Sequence, residues 1–113
     1  MTLLGVPPGM LAEYGAVSRE TVIEMARGAR HRMAKAFLLS QLVGLSVSGI
    51  AGPGGGTDEK PVGLTWIGVS AEGFERAWEF IWDGDRVENK HKSAQEALQL
   101  LLEFLQGSPR EDR

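Results

Sequence analysis

The stretch Val62–Trp82, VGLTWIGVSAEGFERAWEFIW, decides the fold class. Over Val62–Ala71, one side carries Val62, Leu64 and Trp66, and the other Thr65, Ile67 and Val69. Both faces are largely apolar, the pattern of a strand covered on both sides. Glu72-Gly73 then reads as a tight turn. Over Phe74–Trp82 the pattern changes: Phe74, Trp78, Phe80 and Trp82 share one face, while Glu75, Glu79 and Asp83 share the other. That alternation predicts a half-buried strand, antiparallel to the one before it.

Downstream, Asp83-Gly84 turns the chain and Asp85 opens a helix. Glu88, three residues on, completes a capping box. The spacing of Val87, His91, Ala94, Leu98, Leu101, Leu102 and Leu105 predicts that helix's apolar stripe, and Gly107-Ser108-Pro109 ends it. Residues 107–113 are expected to form a disordered, charged tail. Upstream, Ser18 is the expected N-cap of another helix, with Glu20 placed favourably in its first turn. Val22, Met25, Ala26, Ala29, Met33 and Ala36 form its stripe, and Arg19, Arg27, Arg30 and Arg32 occupy its other faces. A short helix from Pro8 to Tyr14 is expected before it, closed by Gly15. The run from Phe37 to Val47 starts ambiguously between helix and strand. It ends as a buried strand before a glycine-rich stop.

The resulting order is helix, helix, strand, glycine loop, strand, strand, helix, within one domain over residues 1–113. This is an α/β class with a mixed sheet. Three strands are few for a sheet covered on both faces, since sheets of about 4–6 strands are usual.

Bulk composition excludes several functions. With 42% apolar and 24% charged residues, the chain reads as an ordinary globular domain. A net charge of -3 supplies no basic field for nucleic acid. No apolar run approaches the roughly 20 residues that cross a bilayer. Neither does the start read as a secretory signal. There is no cysteine, hence no disulfide or thiolate site. The expected compartment is the cytoplasm.

Two segments qualify as ligand sites. Ser48–Gly56, SGIAGPGGG, follows a strand, and such loops are where open α/β sheets bind ligands. Glycines there let a phosphate or an amide approach backbone N–H groups, with Lys60 downstream as a possible charge; the same composition also suits a plain connector. The loop has neither the nucleoside-triphosphate spacing nor the dinucleotide fingerprint. In Gly84-Asp85-Arg86, an arginine in a first helical turn can grip an anion together with free N–H groups, or simply stand at the surface beside a capped start. His31 and His91 have no carboxylate or cysteine at ligand spacing, so no metal is expected. Ser18, Ser46, Ser48, Ser70 and Ser93 show no nucleophile elbow. The tryptophans read as core or interface. Glu88, Lys90 and Lys92 read as a solvated helical face.

Several motifs together resemble the C-terminal domain of competence/damage-inducible protein CinA, a family that includes nicotinamide-mononucleotide amidohydrolases. They are Leu3-Leu4-Gly5-Val6-Pro7, Gly15-Ala16-Val17-Ser18, Ser48-Gly49-Ile50-Ala51-Gly52-Pro53, Lys60-Pro61-Val62-Gly63 and Gly84-Asp85-Arg86, in the family's order and over essentially the whole chain. The resemblance implies a three-layer α/β/α domain with a mixed sheet, only part of which, about three strands, is present here. It also implies hydrolysis of the nicotinamide amide by an attacking serine with a lysine nearby, a case of acyl transfer by an activated nucleophile. It places Ser48, Gly49, Ala51 and Gly52 along the substrate, with Lys60 and Arg86 as candidates for holding its phosphate or steadying the loop. No cofactor is implied.

The family's serine-bearing segment precedes the leucine-glycine-valine-proline motif, whereas Met1-Thr2 stand directly before Leu3 here. The chain is therefore expected to be the C-terminal portion of such a domain, with no catalytic residue of its own and no activity alone. Lys90 stands where the family has an arginine, which keeps the charge without the bidentate fork. The connector from Met33 to Val43 is a few residues longer than in the family. The expected ligand is nicotinamide mononucleotide or a related small phosphorylated molecule, with no nucleic-acid or membrane partner. A homo-oligomer or a complementing N-terminal fragment is the expected protein partner. The alternative is a non-catalytic nucleotide-binding or interaction module that pairs through an exposed sheet edge.

Overall fold

A computed structural model describes residues 17–34, 37–49 and 63–111. The expected Pro8–Tyr14 helix and the glycine loop beyond Gly49 lie outside these residues. The described elements are helix α1 (Arg19–Arg32), a 3-10 turn (Leu39–Gln41), strands β1 (Gly44–Gly49), β2 (Leu64–Ala71) and β3 (Phe74–Ile81), and helix α2 (Arg86–Leu105). The three strands form a sheet in the order β1-β2-β3. Both pairings are antiparallel, with Val47 opposite Ile67 and Ile67 opposite Trp78. The α/β class and the Glu72-Gly73 hairpin follow the sequence reading, and among the described strands no parallel pair occurs.

Alternation along β2 assigns the layers. Leu64, Trp66, Gly68 and Ser70 face α1, while Thr65, Ile67, Val69 and Ala71 face α2. On the α1 side, Val22 and Ala26 are fully buried, and Ser46 Oγ donates to the Val22 carbonyl at 2.5 Å. Gly68 lies directly beneath that carbonyl: a methyl group built on it would sit 2.6 Å from the Val22 oxygen. Helix and sheet meet backbone to backbone here, and only glycine allows it. On the α2 side, Ile67, Val69, Trp78, Ala97 and Leu100 form a buried cluster, with Val43, Leu45, Phe74 and Phe80 packed against it. Each large side chain buried this way contributes about 1.5–3 kcal/mol. The described residues thus form three layers, α/β/α.

The helix starts follow local chemistry. Ser18 Oγ accepts the Thr21 N–H at 3.2 Å, and Asp85 with Glu88 closes the expected capping box. Two expectations need correction. Arg30, expected on a face other than the apolar stripe, is buried: its guanidinium donates to the carbonyls of Leu39 and Leu42 and pairs with Glu72 at 2.9 Å. It ties the connector and the hairpin turn to α1, and so satisfies carbonyls that would otherwise be stranded. The buried face of α2 is Asn89, Ala97 and Leu100, not the leucine stripe. Val87, Leu98 and Leu105 are about two-thirds exposed, at 66%, 63% and 65%. The helix carries two apolar lines, and the less leucine-rich one faces the sheet.

The tail expected to be disordered is placed against the domain as far as Glu111. Arg110 pairs with Glu96 at 2.6 Å and Glu103 at 2.7 Å. The Glu111 carbonyl accepts the Trp78 indole N–H at 2.8 Å. A buried indole N–H needs such an acceptor, a demand invisible in a run of charges. Across the other face, Arg27 grips Glu75 with two hydrogen bonds, Nε to Oε2 at 2.8 Å and Nη2 to Oε1 at 2.5 Å. The Arg27 hydrogen bonding, helped by the Ser70 hydroxyl, holds the Glu75 carboxyl below its ordinary value.

Two outcomes follow from this packing. Gly68→Ala should destabilise the chain by about 1–3 kcal/mol, because α1 must lift off the sheet; urea unfolding should show a lower midpoint at unchanged slope. An unchanged midpoint would refute the contact. Because the Glu75 value is depressed, its contribution is complete above the ordinary carboxylate range and vanishes as pH falls through the depressed value. Glu75→Gln should therefore lose less stability than the parent chain between about pH 6 and pH 3. Equal losses in the two chains would contradict that linkage.

Candidate functional site

The carboxyl end of β1, the start of β2 and the first turns of α2 enclose a cavity of about 330 Å³. Among the described residues, Val47, Gly49 and Thr65 line it from the sheet, and Asn89, Lys90, Ser93 and Ala94 from the helix. Its size falls at the lower end of small-molecule sites, roughly 300–1,000 Å³.

Each wall follows from local structure. Gly49 lies opposite Thr65 in the β1–β2 register. A methyl group on Gly49 would come within 2.7 Å of Thr65 Oγ1, so only glycine fits against this buried hydroxyl. On the helix, Asn89 is 2% exposed, and its Oδ1 accepts the Gly84 N–H at 3.0 Å. That bond fastens the β3–α2 turn to the helix. One turn later, Ser93 Oγ donates to the Asn89 carbonyl at 2.8 Å and accepts the Trp82 indole N–H at 2.9 Å. Trp82 is itself stacked on Phe80, with ring centroids 5.1 Å apart and planes 6° from parallel. Lys90 supplies a cation from the exposed side of the helix.

The residues predicted from sequence separate. Gly49 lines the cavity. Ser48, its neighbour in β1, is turned by strand alternation to the α1 side, opposite Trp66 in the register. Arg86 is the first residue of α2 and is exposed, outside the described lining. The first-turn N–H groups that an anion would share with Arg86 are engaged by the N-cap: the Glu88 N–H donates to Asp85 Oδ1 at 2.8 Å. That hydrogen bond above all, followed by the Glu88 side chain, holds the Asp85 carboxyl below its ordinary value. Ala51, Gly52 and Lys60 lie outside the described residues.

Sequence reading missed Thr65, Asn89 and Ser93, and it placed Lys90 on a solvated face. The available signal was Asn89 and Ser93 at i and i+4, in line with Ala97. Polar residues on the sheet-facing side of a helix mark a cavity or a buried network. Among the described residues, no group of three His, Cys, Asp or Glu side chains is placed to hold a metal ion. No helix among them is long and apolar enough to cross a membrane.

A three-layer α/β/α unit with a cavity at the carboxyl end of a strand has the architecture in which open α/β sheets bind ligands. Comparison with known proteins narrows the class. Residues 1–105 match the family described as the CinA C-terminal domain, and the chain belongs to that family. It is 44% identical over 98 residues to a CinA-like protein of Gemmatimonas aurantiaca, covering 87% of this chain and 22% of that protein. Among solved structures, it is similar to the competence/damage inducible protein CihA from Agrobacterium tumefaciens, at 38% identity and a TM-score of 0.76, over 88% of this chain and 58% of that one. It is also similar to a competence-damaged protein (CinA) superfamily protein from Escherichia coli, at 31% identity and a TM-score of 0.78, over 90% and 56% of the two chains. The chain thus spans less than a quarter of the curated relative and somewhat over half of each solved structure.

Proposed function

We propose that the cavity binds nicotinamide mononucleotide or a closely related phosphorylated amide, as the ligand-holding part of an amidohydrolase site. The observation that carries this reading is the distribution of polarity in the cavity. Lys90 brings a cation to the mouth, and the hydroxyls of Thr65 and Ser93 stand among otherwise mostly apolar surface in the interior. The described lining contains no carboxylate to repel a phosphate. Val47 and Ala94 offer apolar surface for a ring. By the family resemblance, Gly49, Ala51, Gly52 and Lys60 extend the binding surface, with Lys60 toward the phosphate.

Binding and turnover separate in this reading. Amide hydrolysis needs a nucleophile whose proton a base can take. Ser93, the serine in the described lining, gives its proton to a peptide carbonyl, which is no base at neutral pH. Neither histidine nor carboxylate lines the described cavity beside it. By the family resemblance, the attacking serine is assigned to the serine-bearing segment that precedes the leucine-glycine-valine-proline motif in the family, contributed by a complementing segment.

Ammonia release from nicotinamide mononucleotide tests both halves. The purified 113-residue chain should release none above background. Turnover should appear when the chain is supplied with the part of a solved relative that it does not cover. Robust release by the chain alone would refute the assignment of the nucleophile. Absence of binding by calorimetry would refute the ligand.

A further inference from the structure

Helix α2 turns its second apolar line away from the sheet. Val87, His91, Ala94, Leu98, Leu101 and Leu105 recur at alternating intervals of four and three residues, the heptad spacing of a helix that packs on another helix. Val87, Leu98 and Leu105 keep about two-thirds of their surface open, and His91 and Ala94 are exposed between them. The line runs for about 27 Å along the helix, at 1.5 Å per residue. Single exposed leucines are ordinary, whereas a continuous apolar line marks an interaction surface. The charges on α2 run against its own dipole. Arg86, Lys90 and Lys92 stand in the first two turns, near the positive end, and the last turn carries no basic residue. Glu96 and Glu103, the carboxylates of the second half, are engaged by Arg110 on the flank away from the line.

From this arrangement we propose that α2 pairs with α2 of a second copy of the chain, antiparallel across a two-fold axis. Ala94 of each copy then meets Leu98 of the other, His91 meets Leu101, and Val87 meets Leu105. At the centre a small residue lies against a large one, so the two rows interlock. The cationic first turns of each copy lie beside the last turn of the other, the negative helix end that its own sequence leaves without a cation. A parallel pair would instead bring the two cationic ends together and set Ala94 against Ala94. The helix face is thus complementary to itself in one orientation. This proposal does not draw on the ligand reading and stands whether or not a nucleotide binds.

The oligomeric state of the purified chain is the test. Light scattering should report twice the mass of one chain at about 1 mM, falling toward a single chain near about 1 μM. Leu98→Lys puts two cations beside the two-fold axis and leaves the buried side of α2 untouched. It should weaken association by at least about tenfold, and Leu105→Lys, at the end of the line, should act the same way. Ile81→Lys, at a similarly exposed apolar position closing β3, should leave association unchanged. Thermal unfolding shows that each variant is folded. The chain has no cysteine, so introduced thiols report the orientation. On oxidation, a mixture of Val87→Cys and Leu105→Cys chains should give a cross-linked pair, and neither chain alone should. A monomer at every concentration would overturn the proposal. So would association that Ile81→Lys disrupts as strongly as Leu98→Lys, or self-cross-linking of Val87→Cys, which requires a parallel pair. A monomer that covers this line only when given the part of a solved relative that the chain does not span would assign the face to that segment, and the second copy would be wrong.

Discussion

Strand β2 is the constraint on which the rest of the described structure depends. It is paired along both edges, with β1 on one side and β3 on the other, and it is packed on both faces. Its side chains have little latitude. Gly68 must be bare for α1 to settle on the sheet, and Ile67 and Val69 must fill the space under α2. Because the side-chain period of a strand is two, slipping the register by one residue would put Ile67 under α1 and Gly68 over the α2 core. The sheet therefore has one workable alignment, and both helices take their places from it.

That alignment also locates the cavity. Thr65 stands near the start of β2, where the core under α2 stops, opposite the glycine that closes β1. Farther along the helix, Ala97 and Leu100 fill the space against Ile67 and Val69. Nearer its start, Asn89 and Ser93 replace apolar residues, and the space remains open. The polar groups there are mostly spent on each other: Gly84 to Asn89, Ser93 to the Asn89 carbonyl, Trp82 to Ser93. A satisfied network of this kind stiffens the walls of a site and sets which hydrogen-bonding valences are left for a ligand.

Much of this was legible in the sequence where the signal is local. The hairpin, the Ser18 cap and the Asp85–Glu88 capping box each depend on a few neighbouring residues, and the two-sided burial of β2 is written in its apolar faces. What could not be read depends on residues distant in sequence. The buried side of α2 was mistaken because leucines at helical spacing outweigh Asn89, Ala97 and Leu100 in any count of hydrophobicity, while the sheet determines which side is covered. Nothing local marked Arg30 for burial; carbonyls nine and twelve residues away gather around it in the fold. The site followed the same logic. Gly49 was legible from its loop, but Thr65, Asn89 and Ser93 became site residues only once β1, β2 and α2 converged. Arg86 drew attention through its motif, although the cap residue beside it engages the amides it was expected to share.

Amide hydrogen exchange, resolved by residue, is the most direct test of the central role given to β2. The hydrogen-bonded amides between Thr65 and Ser70 should exchange most slowly in the chain, at the rate set by global unfolding. The amides of β1 and of the last turn of α2 should open earlier. Exchange from β2 as fast as from β1, or protection highest in α2, would mean that the two-faced strand does not organise the domain.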